Sequence, residues 1–302
     1  MCGIVGLLLK KPELYNRLGE FMVPMLVGMT ERGPDSAGLA VFSSSVGNFD
    51  KKISLYSGLT AEGASFNWQG LEGAINQHLG IPAKVHAVNN HAILSISGNP
   101  EPVKHWIAEN YPKLYVLSTG EKIDLYKDIG LPASIADRYD FKNLKGSHLV
   151  GHTRMATESA VTPERAHPFT AGEDFCLVHN GSLSNPNYIR RMLEPRGIKF
   201  ETDNDTEAAC RFIEWRLSEG DDLKQALQAC FDELDGFYTF LMGTADSLAL
   251  VRDPFACKPA MVAETDDYVA IASEFRSLAH LPDIKNANVF EPAPEEMYVW
   301  AA

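Results

Sequence analysis

Ile4, Val5, Gly6, Leu7, Leu8 and Leu9 form an unbroken run with no polar side chain close to the start of the chain, and it constrains the fold more than any other feature. A run of that length reads as a buried strand, and a buried strand needs further layers of structure to cover it. Residues 12–30 follow as an amphipathic helix that Pro24 should kink. Arg32-Gly33-Pro34-Asp35 makes a turn, and residues 36–42 and 52–56 then read as paired strands joined by a Ser/Gly/Asn-rich turn at 43–48.

The texture changes between residues 58 and 145. A helical stretch at 71–79 and a strand at 85–88 precede a strand, helix, strand passage over 91–117, in which Asn99-Pro100 opens the helix. Strands resume at 147–153 and 175–179, followed by helices at 186–193, 205–217 and 221–230. Strands at 238–243, 247–251, 259–263 and 268–272 close the pattern. The order predicts one α+β domain over 1–302, interrupted at about 58–145 by an inserted small α/β unit.

Composition narrows the function classes. Lys and Arg number 27 against 40 Asp and Glu, and the net charge of -13 disfavours nucleic acid and anionic membrane surfaces as partners. No apolar run reaches the length of a membrane span. The first residues lack the basic start and small-residue cleavage site of a signal peptide, so a cytoplasmic location is expected. Five cysteines are scattered with no C-x-x-C pair and no clustering with the nine histidines, which argues against a disulfide framework and against a metal site. No nucleotide loop or cofactor signature is present, and no cofactor is expected.

Chemistry is suggested by a set of separate segments. Removal of the initiator Met would leave Cys2 with a thiol and a free α-amine, whose pKa near ~8 suits it to act as base for its own thiol. An isolated cysteine there is more often an ordinary strand residue. Arg32, in the turn after the first helix, could wall the site into which Cys2 points. Arg154 ends a strand in Gly151-His152-Thr153-Arg154-Met155-Ala156-Thr157, where a guanidinium can grip a carboxylate with two parallel hydrogen bonds. Asn180 and Gly181 pair a side-chain amide with an unhindered backbone N–H, two donors suited to an oxyanion. Asp205 opens a helix as its natural N-cap, and its outer carboxylate oxygen could bind an ammonium. Taken singly, each segment has a plain reading as turn, cap or surface ion pair. Together they hold an α-amino acid by both ends and attack its side-chain amide.

At this point the sequence resembles the class II glutamine amidotransferases, which are N-terminal nucleophile hydrolases. The resemblance rests on Met1-Cys2-Gly3-Ile4-Val5-Gly6, the Arg32 to Gly38 turn, the Gly151 to Thr157 segment, Ala166-His167-Pro168, His179-Asn180-Gly181 and Asp205-Thr206-Glu207. It covers most of 1–57 and 146–280. It implies a four-layer αββα sandwich, with Cys2 as nucleophile, Asn180 and Gly181 as oxyanion hole, Arg154 for the substrate carboxylate, Asp205 for its ammonium and Thr157 lining the pocket. Asp203 competes with Asp205, but Asp205 carries the Thr-Glu that follows in the family. The inserted unit and Met155, where many relatives have an aromatic, depart from the pattern. With no synthase segment in the chain, ammonia would pass to a separate subunit, as in the small subunits of glutamate synthase-like complexes including N-methylglutamate synthase. Any flavin or iron-sulfur centre would belong to that partner. The alternatives are a free-standing amidohydrolase of the same fold and a silent glutamine-sensing subunit.

Overall fold

The computed structural model describes residues 2–44, 49–58, 66–155 and 162–302, apart from the side chain of residue 164. Its first half contains β1 (Gly3–Leu9), α1 (Leu18–Gly28), β2 (Ser36–Phe42), β3 (Lys51–Tyr56), α2 (Trp68–Leu79), β4 (Ala83–Val88), β5 (His91–Ile96), α3 (Glu101–Asn110), β6 (Tyr115–Gly120), β7 (Ile123–Ile129) and α4 (Pro132–Arg138). The second half adds β8 (His148–Arg154), β9 (Phe169–Thr170), β10 (Cys176–Leu183), α5 (Pro186–Leu193), α6 (Asp205–Ser218), α7 (Leu223–Glu233), β11 (Gly236–Gly243), β12 (Ser247–Arg252), β13 (Met261–Glu264), β14 (Tyr268–Ala272), β15 (Asn288–Phe290) and β16 (Met297–Ala301).

β1 is buried along its whole length. It occupies the centre of a seven-stranded sheet of order β15-β13-β14-β1-β8-β2-β7. Because successive side chains of a strand point to opposite faces, β1 feeds two cores at once. Val5 and Leu7 pack outward with Leu39 and Leu149 against Met22, Met25 and Leu26 of α1 and Ile135 of α4. Ile4 and Leu8 point the other way, joining Phe42 and Val150 against Val178, Leu241 and Leu250. Those last three belong to a second sheet of order β16-β12-β11-β10-β9. Its outer face, with Leu177, Phe240 and Met242, is covered by Ile189 of α5, Phe212 of α6 and Leu227 of α7. The result is the four-layer αββα sandwich that the family resemblance implies.

A third sheet, β4-β5-β3-β6, pairs only within itself, while Tyr56 and Leu117 join the core between the two large sheets. With α2 and α3 it encloses its own core of Ile53, Leu55, Trp68, Leu71, Leu94 and Ile107.

Two expectations change. The strands at 36–42 and 52–56 do not pair with each other. β2 lies between β8 and β7, with Leu39 opposite both Gly151 and Tyr126, so neither of its edges is open to β3. β3 pairs instead with β5 and β6 in the third sheet. Second, part of the segment 58–145 joins the main body: β7 runs along β2 from Ser36↔Ile129 to Phe42↔Ile123, and Ile135 and Phe141 pack with α1. The helix expected over 12–30 divides into a 3-10 turn, Pro12–Arg17, and α1, which contains Pro24.

Candidate active site

The site forms where the start of β1 meets the ends of its neighbours. Gly3 lies opposite Thr153 of β8, and Val5 lies opposite Ala272 of β14. Arg154, Ser273 and Cys2 are therefore delivered to one end of the first sheet. Ser273 locks the corner: its backbone N–H donates to the Ile4 carbonyl at 3.1 Å, and its Oγ accepts from the Ile4 N–H at 3.0 Å.

The second sheet reaches the same corner through β10. Its alternation turns Val178 into the gap between the sheets and Leu177 toward the helices, so Asn180 faces the gap and His179 faces α6. Asn180 Nδ2 donates to Ser273 Oγ at 3.0 Å and to the Cys2 carbonyl at 3.3 Å. The next residue must be glycine. At φ +150° a Cβ on Gly181 would fall 1.8 Å from the Phe237 carbonyl oxygen, which no side chain tolerates.

Arg32 arrives through the turn after α1. A Cβ on Gly33 would sit 2.4 Å from the Thr153 carbonyl carbon, so glycine lets this turn lie directly on the end of β8. Arg32 Nε then donates to the Cys2 carbonyl at 2.8 Å, and Nη1 donates to Glu274 Oε1 at 2.9 Å. Arg32 is 9% exposed, and these bonds make it an anchor for the Cys2 backbone more than a wall of the pocket. Arg154, the last residue of β8, is buried, and its Nη1 reaches the Arg165 carbonyl at 3.4 Å.

Asp205 is not the helix cap. Asn204 holds the extended cap conformation, and its side chain accepts from the Thr206 N–H at 2.9 Å. Asp205 is the first helical residue, which frees its carboxylate: Oδ2 accepts from the Leu183 N–H at 2.9 Å, and Oδ1 lies 3.8 Å from His179 Nδ1. Asp203 turns to the surface, where it pairs with Arg165 at 3.0 Å. Thr157 lies outside the described residues.

Direct contacts thus join Cys2, Arg32, Asn180 and, through Asn180, Ser273. Arg154 is tied to them by strand register and Asp205 by the end of β10. Three histidines also converge here, and the sequence reading passed over them. His152 and His167 stack at 4.1 Å between ring centroids, while His167 Nε2 and His179 Nδ1 lie 2.8 and 3.1 Å from Thr206 Oγ1. Burial pushes His152 down to about 3 and His167 well below the ordinary histidine value. His179 is lowered by burial against the opposing pull of Asp205. The one local signal was that each histidine sits within a quoted motif.

Among the described residues no group of His, Cys, Asp or Glu is arranged to hold a metal ion, and no helix is long and apolar enough to cross a membrane. A cavity of about 290 Å³ lies between α3, β6, β9 and α6, lined by Lys104, Tyr115, Lys127, Phe169 and Glu207 among others, and none of Cys2, Arg154 or Asn180 borders it.

Two face-to-face sheets cased in helices, with residue 2 at the head of a central strand, have the architecture of the N-terminal nucleophile hydrolases. Solved structures agree: glutamine phosphoribosylpyrophosphate amidotransferase from B. subtilis superposes with a TM-score of 0.62 at 20% identity, over 99% of this chain and 47% of that one. A structure described as the allosteric regulatory enzyme of purine biosynthesis gives 0.64 at 20% identity, over 99% of this chain and 46% of that one. The glutamine amidotransferase domain family matches residues 152–280. The glutamine amidotransferase-like protein GlxB of Rhizobium meliloti (strain 1021) is 46% identical over 99% of this chain and 98% of its own length. An amidophosphoribosyltransferase of Methanocaldococcus jannaschii is 32% identical over 54% of this chain and 36% of its own. This chain belongs to the glutamine amidotransferase family.

Proposed function

We propose that Cys2, freed at the N-terminus by removal of Met1, is the nucleophile that hydrolyses glutamine to glutamate and ammonia, and that a separate synthase subunit receives the ammonia. The observation that carries this reading is the 3.3 Å contact between Asn180 Nδ2 and the Cys2 carbonyl. It sets an amide donor beside the residue that bears both thiol and α-amine.

The α-amine takes the thiol proton, directly or through water, and the thiolate attacks the carboxamide carbon. The carbonyl electron pair moves onto oxygen, where the Asn180 amide and the Gly181 N–H donate to it. The protonated amine passes its proton to the departing nitrogen, the C–N bond breaks and ammonia leaves a glutamyl thioester. Water then adds to the thioester carbon, giving up a proton to the amine. Cleavage of the C–S bond releases glutamate and restores the thiol. Arg154 binds the substrate α-carboxylate, Asp205 its α-ammonium, and Arg32 holds the Cys2 backbone.

The acceptor subunit is of glutamate synthase-like type, N-methylglutamate synthase being the nearest reading. The residues that favour it are Arg32 to Gly38 and Gly151 to Thr157. The chain is one catalytic domain interrupted at about 58–145, and that insertion, which supplies β4, β5 and β6 of the third sheet, is the docking surface for the partner. Purified Cys2→Ala protein should bind glutamine and lose turnover; persistent glutaminase activity would refute the nucleophile. Co-purification from the native host should bring down a synthase, and deletion of the third sheet should release it.

A further inference from the structure

We infer that Thr206, with His152, His167 and His179, forms a buried bracket that holds the oxyanion donors and the ammonium clamp of the glutamine site in register. These four act as positioning residues, and the inference rests on the roles proposed above for Asn180, Gly181 and Asp205.

Two chain segments carry those roles, β10 and the start of α6, a third, β8, carries Arg154, and the bracket touches all three. His179 adjoins Asn180 in β10, and its Nε2 lies 2.6 Å from where a Gly181 Cβ would stand, so its ring supports the glycine directly. Thr206 adjoins Asp205 at the start of α6 and is 1% exposed. Its hydroxyl also approaches Asp205 Oδ1 at 3.5 Å. His152 sits two residues before Arg154 in β8, opposite Ile4, and stacks on His167. The connection therefore runs from β8 through His152 and His167 to Thr206, and from there to His179 and Gly181.

The hydroxyl is the keystone because it joins both rings to Asp205. Thr206 Oγ1 faces ring nitrogens of both His167 and His179 and donates toward Asp205 Oδ1. Its oxygen accepts from both rings when its proton goes to Asp205, or accepts from one ring and donates to the other. In either arrangement the hydroxyl holds two rings at once, which a methyl group cannot do. An arrangement selected for packing alone has no need of this chemistry: His167 Nδ1 is buried without a hydrogen-bond partner, a cost that an apolar side chain avoids.

The test uses the full-length protein and compares Thr206→Val, which keeps the shape and deletes the hydroxyl, with Thr206→Ser, which keeps the hydroxyl. Glutaminase kcat and KM are measured beside the urea midpoint, and rates are divided by the folded fraction. Thr206→Val should lower kcat/KM for glutamine by about tenfold or more, the scale of one buried hydrogen bond, while Thr206→Ser stays within about threefold. A Thr206→Val enzyme within about twofold of the parent, or a Thr206→Ser enzyme as impaired as Thr206→Val, overturns the inference. Should Thr206→Val fail to fold, His167→Gln, which retains a donor, must outperform His167→Phe by the same margin, and equal rates overturn it. Cys2→Ala run in parallel separates the two claims. If it still hydrolyses glutamine, the reading of the site fails; if it is inactive and Thr206→Val is unimpaired, the bracket alone fails.

Discussion

The gap between the two large sheets is built on opposite chemistry at its middle and at one end. In the middle, Ile4, Leu8, Phe42, Val150, Val178 and Leu241 are fully buried and apolar. At the head of β1 the same alternation delivers His152, Arg154, Asn180 and, just past β14, Ser273, all buried and all polar. Period-two geometry places both sets. Only the first set drives the sheets together, each large side chain contributing roughly 1.5–3 kcal/mol on burial. The second set is held open by hydrogen bonds and by glycines at 33 and 181, and it supplies directed donors. On the proposed mechanism, stability and reactivity draw on different residues of the same strands.

The largest effect belongs to Cys2→Ala, which should lower glutamine turnover by at least about a thousandfold. The urea midpoint should stay unchanged, and a shifted midpoint would blur the separation. Leu241→Ala in the middle of the gap reverses the pattern, costing about 2–5 kcal/mol of stability in chemical denaturation. The kcat of the protein that remains folded should hold. Arg154→Gln should raise KM for glutamine by roughly tenfold to a hundredfold, the worth of a charge-assisted pair, with a smaller effect on kcat; an unchanged KM in steady-state assays would remove Arg154 from the carboxylate clamp.

Acid sharpens the comparison further. Burial lowers His148 to about 4 and His152 to about 3, against an ordinary value near ~6.5. Between those limits the unfolded chain takes up protons that the native protein refuses. The stabilisation is complete above pH ~6.5 and declines as the pH falls, by about 1.4 kcal/mol per pH unit for each such group. Urea midpoints at pH 7.5 and 5.5 should differ accordingly, and equal midpoints would mean the histidines are not held neutral.

The apolar half of this molecule was legible in sequence, and much of the polar half was not. Runs such as Ile4 to Leu9 and the alternation at the ends of 238–243 and 247–251 mark strands without help from tertiary structure. β7 escaped notice because Asp124, Lys127 and Asp128 interrupt its pattern. Lys127 and Asp128 are buried all the same and Asp124 is half-buried, with Asp124 paired to Lys52 at 2.8 Å and Asp128 bonded to Arg138 at 2.5 Å and to the Tyr139 hydroxyl. The pairing of β2 with β8 joins residues far apart in the chain, which a local turn signal cannot announce. Asp205 was read as a cap because it opens a helix, yet Asn204 takes the cap and leaves Asp205 its carboxylate. The histidine bracket was hidden for the same reason as β2–β8: His152, His167, His179 and Thr206 meet only after folding.

On the proposed mechanism Cys2, at a free N-terminus, is the reacting group. A diazoketone analogue of glutamine, which alkylates the nucleophile of a glutamine site, tests it most directly when combined with intact mass and peptide mapping of protein from the native host. One equivalent of label is expected on Cys2 of a chain lacking Met1, blocked by excess glutamine and accompanied by loss of glutaminase activity. Label on the exposed Cys257, or full glutaminase activity in protein that retains Met1, would contradict it.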